Sequence, residues 1–99
     1  MEITKLLEGT TLTVTIVGRL DASNAQDLTN ELNSSLDGVK ELIFDFAGLK
    51  YVASAGLRVL LMAQKRMNKQ GKMKIRHVDE TVMEVLEMTG FADLMNIEK

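Results

Sequence analysis

Leu42-Ile43-Phe44-Asp45-Phe46 is the feature that most limits what this chain can fold into. A run this short and almost unbroken in its apolar character reads as a central strand covered on both faces, with Asp45 its one interruption. The period then changes. Leu57, Leu60, Leu61 and Met67 recur near helical spacing, so a helix is expected over residues 54–70, stopped by Gly71. A strand handing over to a helix, with another strand beyond it, implies a right-handed crossover and parallel neighbours.

The flanking segments extend this pattern in both directions. Residues 3–7 and 11–17 are rich in Thr, Val and Ile, and Glu8-Gly9-Thr10 between them supplies a turn, so a hairpin is expected. Leu12, Val14 and Ile16 share one face of its second strand, with Thr11, Thr13 and Thr15 on the other. Ser23-Asn24-Ala25-Gln26 has the form of a capping box. The helix it opens places Ala25, Leu28, Leu32 and Leu36 on one stripe and ends at Gly38. Met73, Ile75 and Val78 mark a further strand, and Asp79 caps a helix holding Val82, Val85 and Leu86 that ends at Gly90. Residues 91–97 suit either a short helical turn or a final edge strand.

The order predicts an α/β fold: a single domain over residues 1–99, with a four- or five-stranded mixed sheet and three to four helices packed on it. Leu28, Leu32, Phe44, Leu57, Leu60, Leu61, Ile75, Val82 and Leu86 are expected in the core. Five methionines (Met62, Met67, Met83, Met88 and Met95) fit core filling by their spacing, though Met also suits adaptable partner-binding surfaces. A chain of 99 residues can bury about 65% of its unfolded surface.

Several function classes fall away on composition. With no cysteine there is neither disulfide nor thiolate chemistry. No apolar run reaches the ~18–20 residues that a membrane-spanning helix needs. The start, Met1-Glu2-Ile3-Thr4-Lys5, lacks a basic region followed by a signal-type core, so a cytoplasmic location without membrane insertion is expected, and a monomer is the default for this composition. Residues 54–78 contain no Asp or Glu but seven basic residues: Arg58, Lys65, Arg66, Lys69, Lys72, Lys74 and Arg76. No aromatic side chain interleaves with them for base stacking, and the net charge is −2, so no nucleic-acid partner is expected. The basic stretch suits a solvated face or a surface for an acidic protein.

Catalysis finds no apparatus. His77 is the only histidine, which leaves too few ligands of suitable type for a metal site, and there is no glycine-rich phosphate loop. Neither a metal nor another cofactor is expected, and the chain is not read as an enzyme. The more informative position is Ser54, expected at the N-cap of its helix, where its hydroxyl can accept from free backbone N–H groups. The same place suits a phosphate, because those N–H groups and the helix dipole favour an anion. Gly56, just inside the helix, would leave the backbone open to close approach by another protein. Asp21 and Asp45 fall at expected strand ends on the side of the sheet where Ser54 lies.

The segment Phe44-Asp45-Phe46-Ala47-Gly48-Leu49, then Tyr51-Val52-Ala53-Ser54-Ala55-Gly56-Leu57-Arg58, resembles the signature of the STAS domain (sulfate transporter and anti-sigma factor antagonist). Gly18-Arg19-Leu20-Asp21 is similar to the step that ends the family's second strand, and Met88-Thr89-Gly90-Phe91 to its helix-ending step. The resemblance is closest to single-domain bacterial anti-anti-sigma factors and covers nearly the whole chain. It implies that Ser54 is the phosphoacceptor, with Ala53 where the family commonly has aspartate, Ala55 in the small position and Gly56-Leu57 as the following pair. It further implies a partner-binding surface comprising Asp21, Asp45, Ala53, Ser54, Ala55, Gly56, Leu57 and Arg58. The partner would be an anti-sigma factor serine kinase of the GHKL type, bound while Ser54 is unphosphorylated so that a sigma factor is freed. A PP2C-type phosphatase would reset the switch. The alternative within the same resemblance is an unphosphorylated accessory subunit of an ABC transporter or signalling complex, where Ser54 is a cap.

Overall fold

The computed structural model describes residues 1–98. The Thr/Val/Ile alternation of the N-terminal segments closes a hairpin of β1 (Glu2–Glu8) and β2 (Thr11–Leu20). There follow α1 (Ala25–Asn33), β3 (Glu41–Val52), α2 (Ser54–Gln70), β4 (Lys72–Arg76), α3 (Glu80–Met88), a 3-10 turn (Phe91–Asp93) and β5 (Asn96–Ile97). Residues 91–97 therefore hold both of the expected elements: the turn, then an edge strand.

The sheet has five strands in the order β1-β2-β3-β4-β5. The β1–β2 pair is antiparallel and the other three pairs are parallel. The three crossovers step in one direction across the sheet, so right-handed connections lay α1, α2 and α3 on the same face. The burial pattern agrees. Leu12, Val14 and Ile16 of β2, Leu42, Phe44 and Phe46 of β3, and Met73 and Ile75 of β4 join one core cluster with Leu28, Leu32, Leu57, Leu60, Val82 and Leu86. Phe44 and Phe46 meet at its centre, with ring centroids 5.8 Å apart.

The other face carries Thr11, Thr13 and Thr15 beside Glu41, Ile43 and Asp45, then Lys72, Lys74 and Arg76. Helices thus cover β3 on one side rather than both. Ile43 is buried yet stands outside the core cluster, flanked by Thr13 and Lys74. An apolar side chain hemmed in by two neighbouring strands mimics, in sequence, a strand sandwiched between layers.

Three local expectations are corrected. The capping box does not form: Asn24 is the N-cap of α1, and the Ser23 hydroxyl donates to Asp21 Oδ1 at 2.6 Å instead. That helix stops at Asn33, and Gly38 lies in the turn beyond it, where Val39 N–H donates to Leu36 O. Leu36 is buried all the same. Leu61 is half-buried on α2 rather than in the core, because Leu57, Leu60, Ala63 and Met67 already fill the inward stripe. Of the methionines, Met67 and Met95 fill core, whereas Met88 is 78% exposed and Met62 lies at the surface.

At Gly71, where α2 gives way to β4, the chain passes against Lys40. A Cβ built there would overlap the Lys40 carbonyl oxygen, which accepts from Lys72 N–H at 3.0 Å.

Candidate functional site

β3 outruns β4. Asp45 pairs with Arg76, the last residue of β4, while β3 continues to Val52 alongside β2. The two strands form a ribbon beyond the rest of the sheet, and α2 starts from its tip. Ala53 N–H donates to Leu20 O at 2.9 Å, which pins the β3–α2 junction to the end of β2. Asp21 and Ser54, each the next residue on, are thereby brought together at the tip.

Ser54 is exposed and is the first residue of α2; Ala53, at φ −98° and ψ 174°, is the N-cap. The expectation that Ser54 caps the helix is corrected: one residue inside the helix, its hydroxyl does not reach back over the first turn. Among the described residues that hydroxyl makes no hydrogen bond, and α2 has no side-chain cap. The Ala53 carbonyl accepts from Gly56 and Leu57 N–H, and no acidic side chain lies in the first turn. A helix start with neither cap nor carboxylate retains its full affinity for an anion. Ala53→Asp is accordingly expected to stabilise the domain by about 0.5–2 kcal/mol. Chemical denaturation measures this, and an unchanged midpoint would mean that Ala53 is not the N-cap.

Gly56 does not leave the backbone open. It is buried, and a Cβ built on it would stand 2.6 Å from Leu20 Cγ and 2.9 Å from Val52 Cγ2. The absent side chain seats α2 on the ribbon. Leu57 is buried beside it, Ala55 is half-buried and Arg58 is exposed one turn along the helix from Ser54. Of the expected docking residues, Asp21, Ala53, Ser54, part of Ala55 and Arg58 therefore face outward at this tip.

Asp21 is held in place. Its Oδ1 accepts from Ser23 N–H at 3.0 Å and from the Ser23 hydroxyl, and Oδ2 lies 3.8 Å from Arg19 Nε. The Ser23 bonds, aided by the Arg19 charge, hold its pKa below the usual aspartate value. Arg19 in turn lies over the Tyr51 ring, 4.3 Å from its centroid. These two opposed residues were not legible as a pair, since a bulge in β3 sets their register: Gly18 faces Leu49 and Arg19 faces Tyr51, leaving Lys50 as the extra residue.

Asp45 does not belong to this tip. Seven residues of β3 (46–52) separate it from Ala53, a span of about 20 Å in extended chain. The expectation that it shares an edge with Ser54 is corrected: β3 is longer than its apolar run, so Asp45 falls mid-strand. There it accepts from Ala47 N–H at 3.0 Å and Arg76 Nε at 3.2 Å, and lies 3.1 Å from His77 Nδ1. His77 sits at φ +60°, in the left-handed region that side chains other than glycine seldom adopt. Since His77 pairs with Asp45 at the root of the ribbon, a Ser-His-Asp arrangement with Ser54 is not assembled. Among the described residues no group of three or more His, Asp or Glu is placed to hold a metal ion. Nor is any helix among the described residues long and apolar enough to cross a membrane.

Burial raises the Asp45 pKa, but the bonds from Ala47, His77 and Arg76 outweigh it and leave the group below its ordinary value. A carboxylate depressed in the folded state stabilises above its unfolded pKa and loses that contribution as pH falls through the folded one. Stability is expected to drop below about pH 4, and Asp45→Asn to flatten that drop while costing stability at neutral pH. Urea midpoints at several pH values measure both, and a variant with the same acid slope as wild type would show that Asp45 is not responsible.

The STAS domain family model matches residues 3–99. BtrV of Bordetella bronchiseptica, named as an anti-sigma factor antagonist, is 33% identical over 82 residues, covering 81% of this chain and 71% of that protein. An anti-sigma factor antagonist structure from Thermotoga maritima superposes with TM-score 0.91 at 15% identity, covering 98% of this chain and 86% of that one. The Bacillus cell fate determinant SpoIIAA, solved in its phosphorylated form, gives 0.76 at 16% identity over 99% and 92% of the two chains. With the match running from the hairpin to the last strand, and the ribbon tip built from the segments that resemble the signature, this chain belongs to the STAS domain family.

Proposed function

We propose that the protein is a phosphorylation-gated anti-sigma factor antagonist. Unphosphorylated, it binds an anti-sigma factor serine kinase of the GHKL type and so frees a sigma factor. Transfer of the ATP γ-phosphoryl group to the Ser54 hydroxyl, with loss of its proton, ends the complex, and hydrolysis by a PP2C-type phosphatase restores it. The site is a cytoplasmic docking surface and carries out no catalysis of its own.

The observation that carries this reading is the state of Ser54: exposed, at the first residue of α2, with a hydroxyl engaged by no other group among the described residues. A serine serving only as a cap would be tied to the helix N–H groups. The name of BtrV, a relative above 30% identity, supports the antagonist role, and the phosphorylated SpoIIAA structure supports phosphorylation as compatible with this fold. Pull-down from native cells with wild-type and Ser54→Asp baits tests it. A GHKL-type kinase captured by wild type alone is the expected result. Capture of an ABC ATPase equally by both baits would replace the switch with the accessory-subunit role.

A further inference from the structure

The ribbon tip holds a second feature that neither the core nor the Ser54 hydroxyl explains. Arg19 lies at once over the Tyr51 ring, 4.3 Å from its centroid, and 3.8 Å from Asp21, which Ser23 fixes from the other side. The Arg19 side chain is 64% exposed and Tyr51 is 38% exposed, so neither contributes to the hydrophobic core. Val17, 40% exposed, lies two residues before Arg19 on the same strand. The pairing depends on an irregularity: the extra residue Lys50 in β3 and Gly18 at φ +106° in β2 shift the register so that Arg19 and Tyr51 stand opposite one another. Bulges of this kind re-aim side chains beside functional sites.

A long side chain laid over a ring and beside a carboxylate, yet mostly exposed, gives the folded monomer little. It is useful to a complex, because the ordering cost of the guanidinium is met before the partner arrives. Arginine and tyrosine are also the residue types that concentrate binding energy in interfaces. The charges decide what fits. Arg19, Lys50 and Arg58 against Asp21 leave the tip with a net charge of +2, and the uncapped start of α2 adds partial positive charge.

We propose that the Arg19–Tyr51 stack is the specificity-determining anchor of the docking surface. It is read by an acidic surface of the kinase, with a carboxylate meeting Arg19 and a shallow apolar recess receiving Tyr51. The inference rests on the partner-switch reading above and adds to it the chemistry of the partner's face. Phosphate on Ser54, carrying about −1.5 to −2 charges, would cancel most of the positive charge of the tip that this acidic surface recognises.

Titration calorimetry against the cognate anti-sigma kinase tests the anchor. Tyr51→Ala and Arg19→Glu should each weaken binding at least tenfold, and Arg19→Lys and Tyr51→Phe should retain part of it. The double variant Lys65→Ala/Lys69→Ala, remote on α2, should stay within about twofold of wild type at physiological salt. Thermal melts of each variant near the wild-type value would show that the losses are not unfolding. Wild-type affinity for Tyr51→Ala and Arg19→Glu, with Ser54→Asp still weak, would overturn the anchor and leave the switch standing. Equal affinity of Ser54→Asp and wild type would overturn the switch itself. Binding by Arg19→Glu tighter than wild type would show that the partner's face is basic and reverse the proposed chemistry.

Discussion

Gly71→Ala is expected to destabilise the domain by at least about 3 kcal/mol, the upper part of the range for overpacking, because the added methyl meets backbone. The obstacle is the Lys40 carbonyl, held in place by the bond from Lys72 N–H; Lys40 N–H in turn donates to Thr10 O at 2.8 Å. Moving it away means separating the start of β4 from the loop before β3 and the hairpin turn. In a domain of this size such a loss lowers the melting temperature by roughly 12–24 °C. Gly56→Ala should cost less, about 1–3 kcal/mol, since Leu20 and Val52 present side chains that can shift. Gly9 and Gly38 have open space around them, so an alanine there meets only the strain of a positive φ. Thermal unfolding by circular dichroism ranks the four, and a Gly71→Ala melt within a few degrees of wild type would refute the close approach. A Gly56→Trp substitution would press on the same Leu20 and Val52 side chains far harder than alanine and is expected to abolish partner binding. Its loss of partner binding would arrive through the unseating of α2, so it cannot serve as evidence that Gly56 touches a partner.

Phosphorylation of Ser54, or its Ser54→Asp substitute, is expected to weaken kinase binding by ten- to a thousandfold, about 1.4–4 kcal/mol. Within the isolated domain the charge is well placed, at a helix start that lacks both cap and acidic residue. The cost arises only when the interface closes. There the phosphate is stripped of water against the partner, and a desolvated charge without a partner of opposite sign is expensive. Ser54→Ala should bind as wild type and become insensitive to ATP. Its melting temperature should also stay near wild type, since the N-cap is Ala53 and no capping bond is lost. Calorimetry with and without prior phosphorylation measures the effect. Equal affinities for the two forms would separate Ser54 from any switching role.

The core was readable because it depends on period. Leu28, Leu32, Leu57, Leu60, Val82 and Leu86 sit on helical stripes, and Leu12, Val14 and Ile16 on every second residue of a strand, so local spacing alone assigns them inward. The site was less legible, for reasons tied to register. Ser54 was placed within one residue of its position, yet that single residue separates a cap from a free hydroxyl. Asp45 looked like the end of a strand because the apolar run stops at Phe46, whereas β3 continues to Val52 by pairing with β2. Hydrogen bonding of the backbone extends a strand through Ala47, Gly48 and Lys50 without help from hydrophobicity. Gly56 falls by period on the inward stripe with Leu60, Ala63 and Met67, but the spacing does not tell that Leu20 and Val52 come close enough to exclude a side chain there. The Arg19–Tyr51 pair is not readable from either strand alone: Gly18 hints at an irregularity, but which residues then stand opposite one another is a relation between two segments.

Because the strands stand in space in the order in which they occur in the chain, none has to be inserted between two already paired. Each β–α unit adds to a free edge, and each loop closure spans only one helix, which keeps the entropic cost of every step small. The ribbon tip draws on β2, β3 and the start of α2 alone. All of its residues therefore precede β4, α3 and β5 in the chain, and the docking end pairs with none of the strands that close the far edge of the sheet.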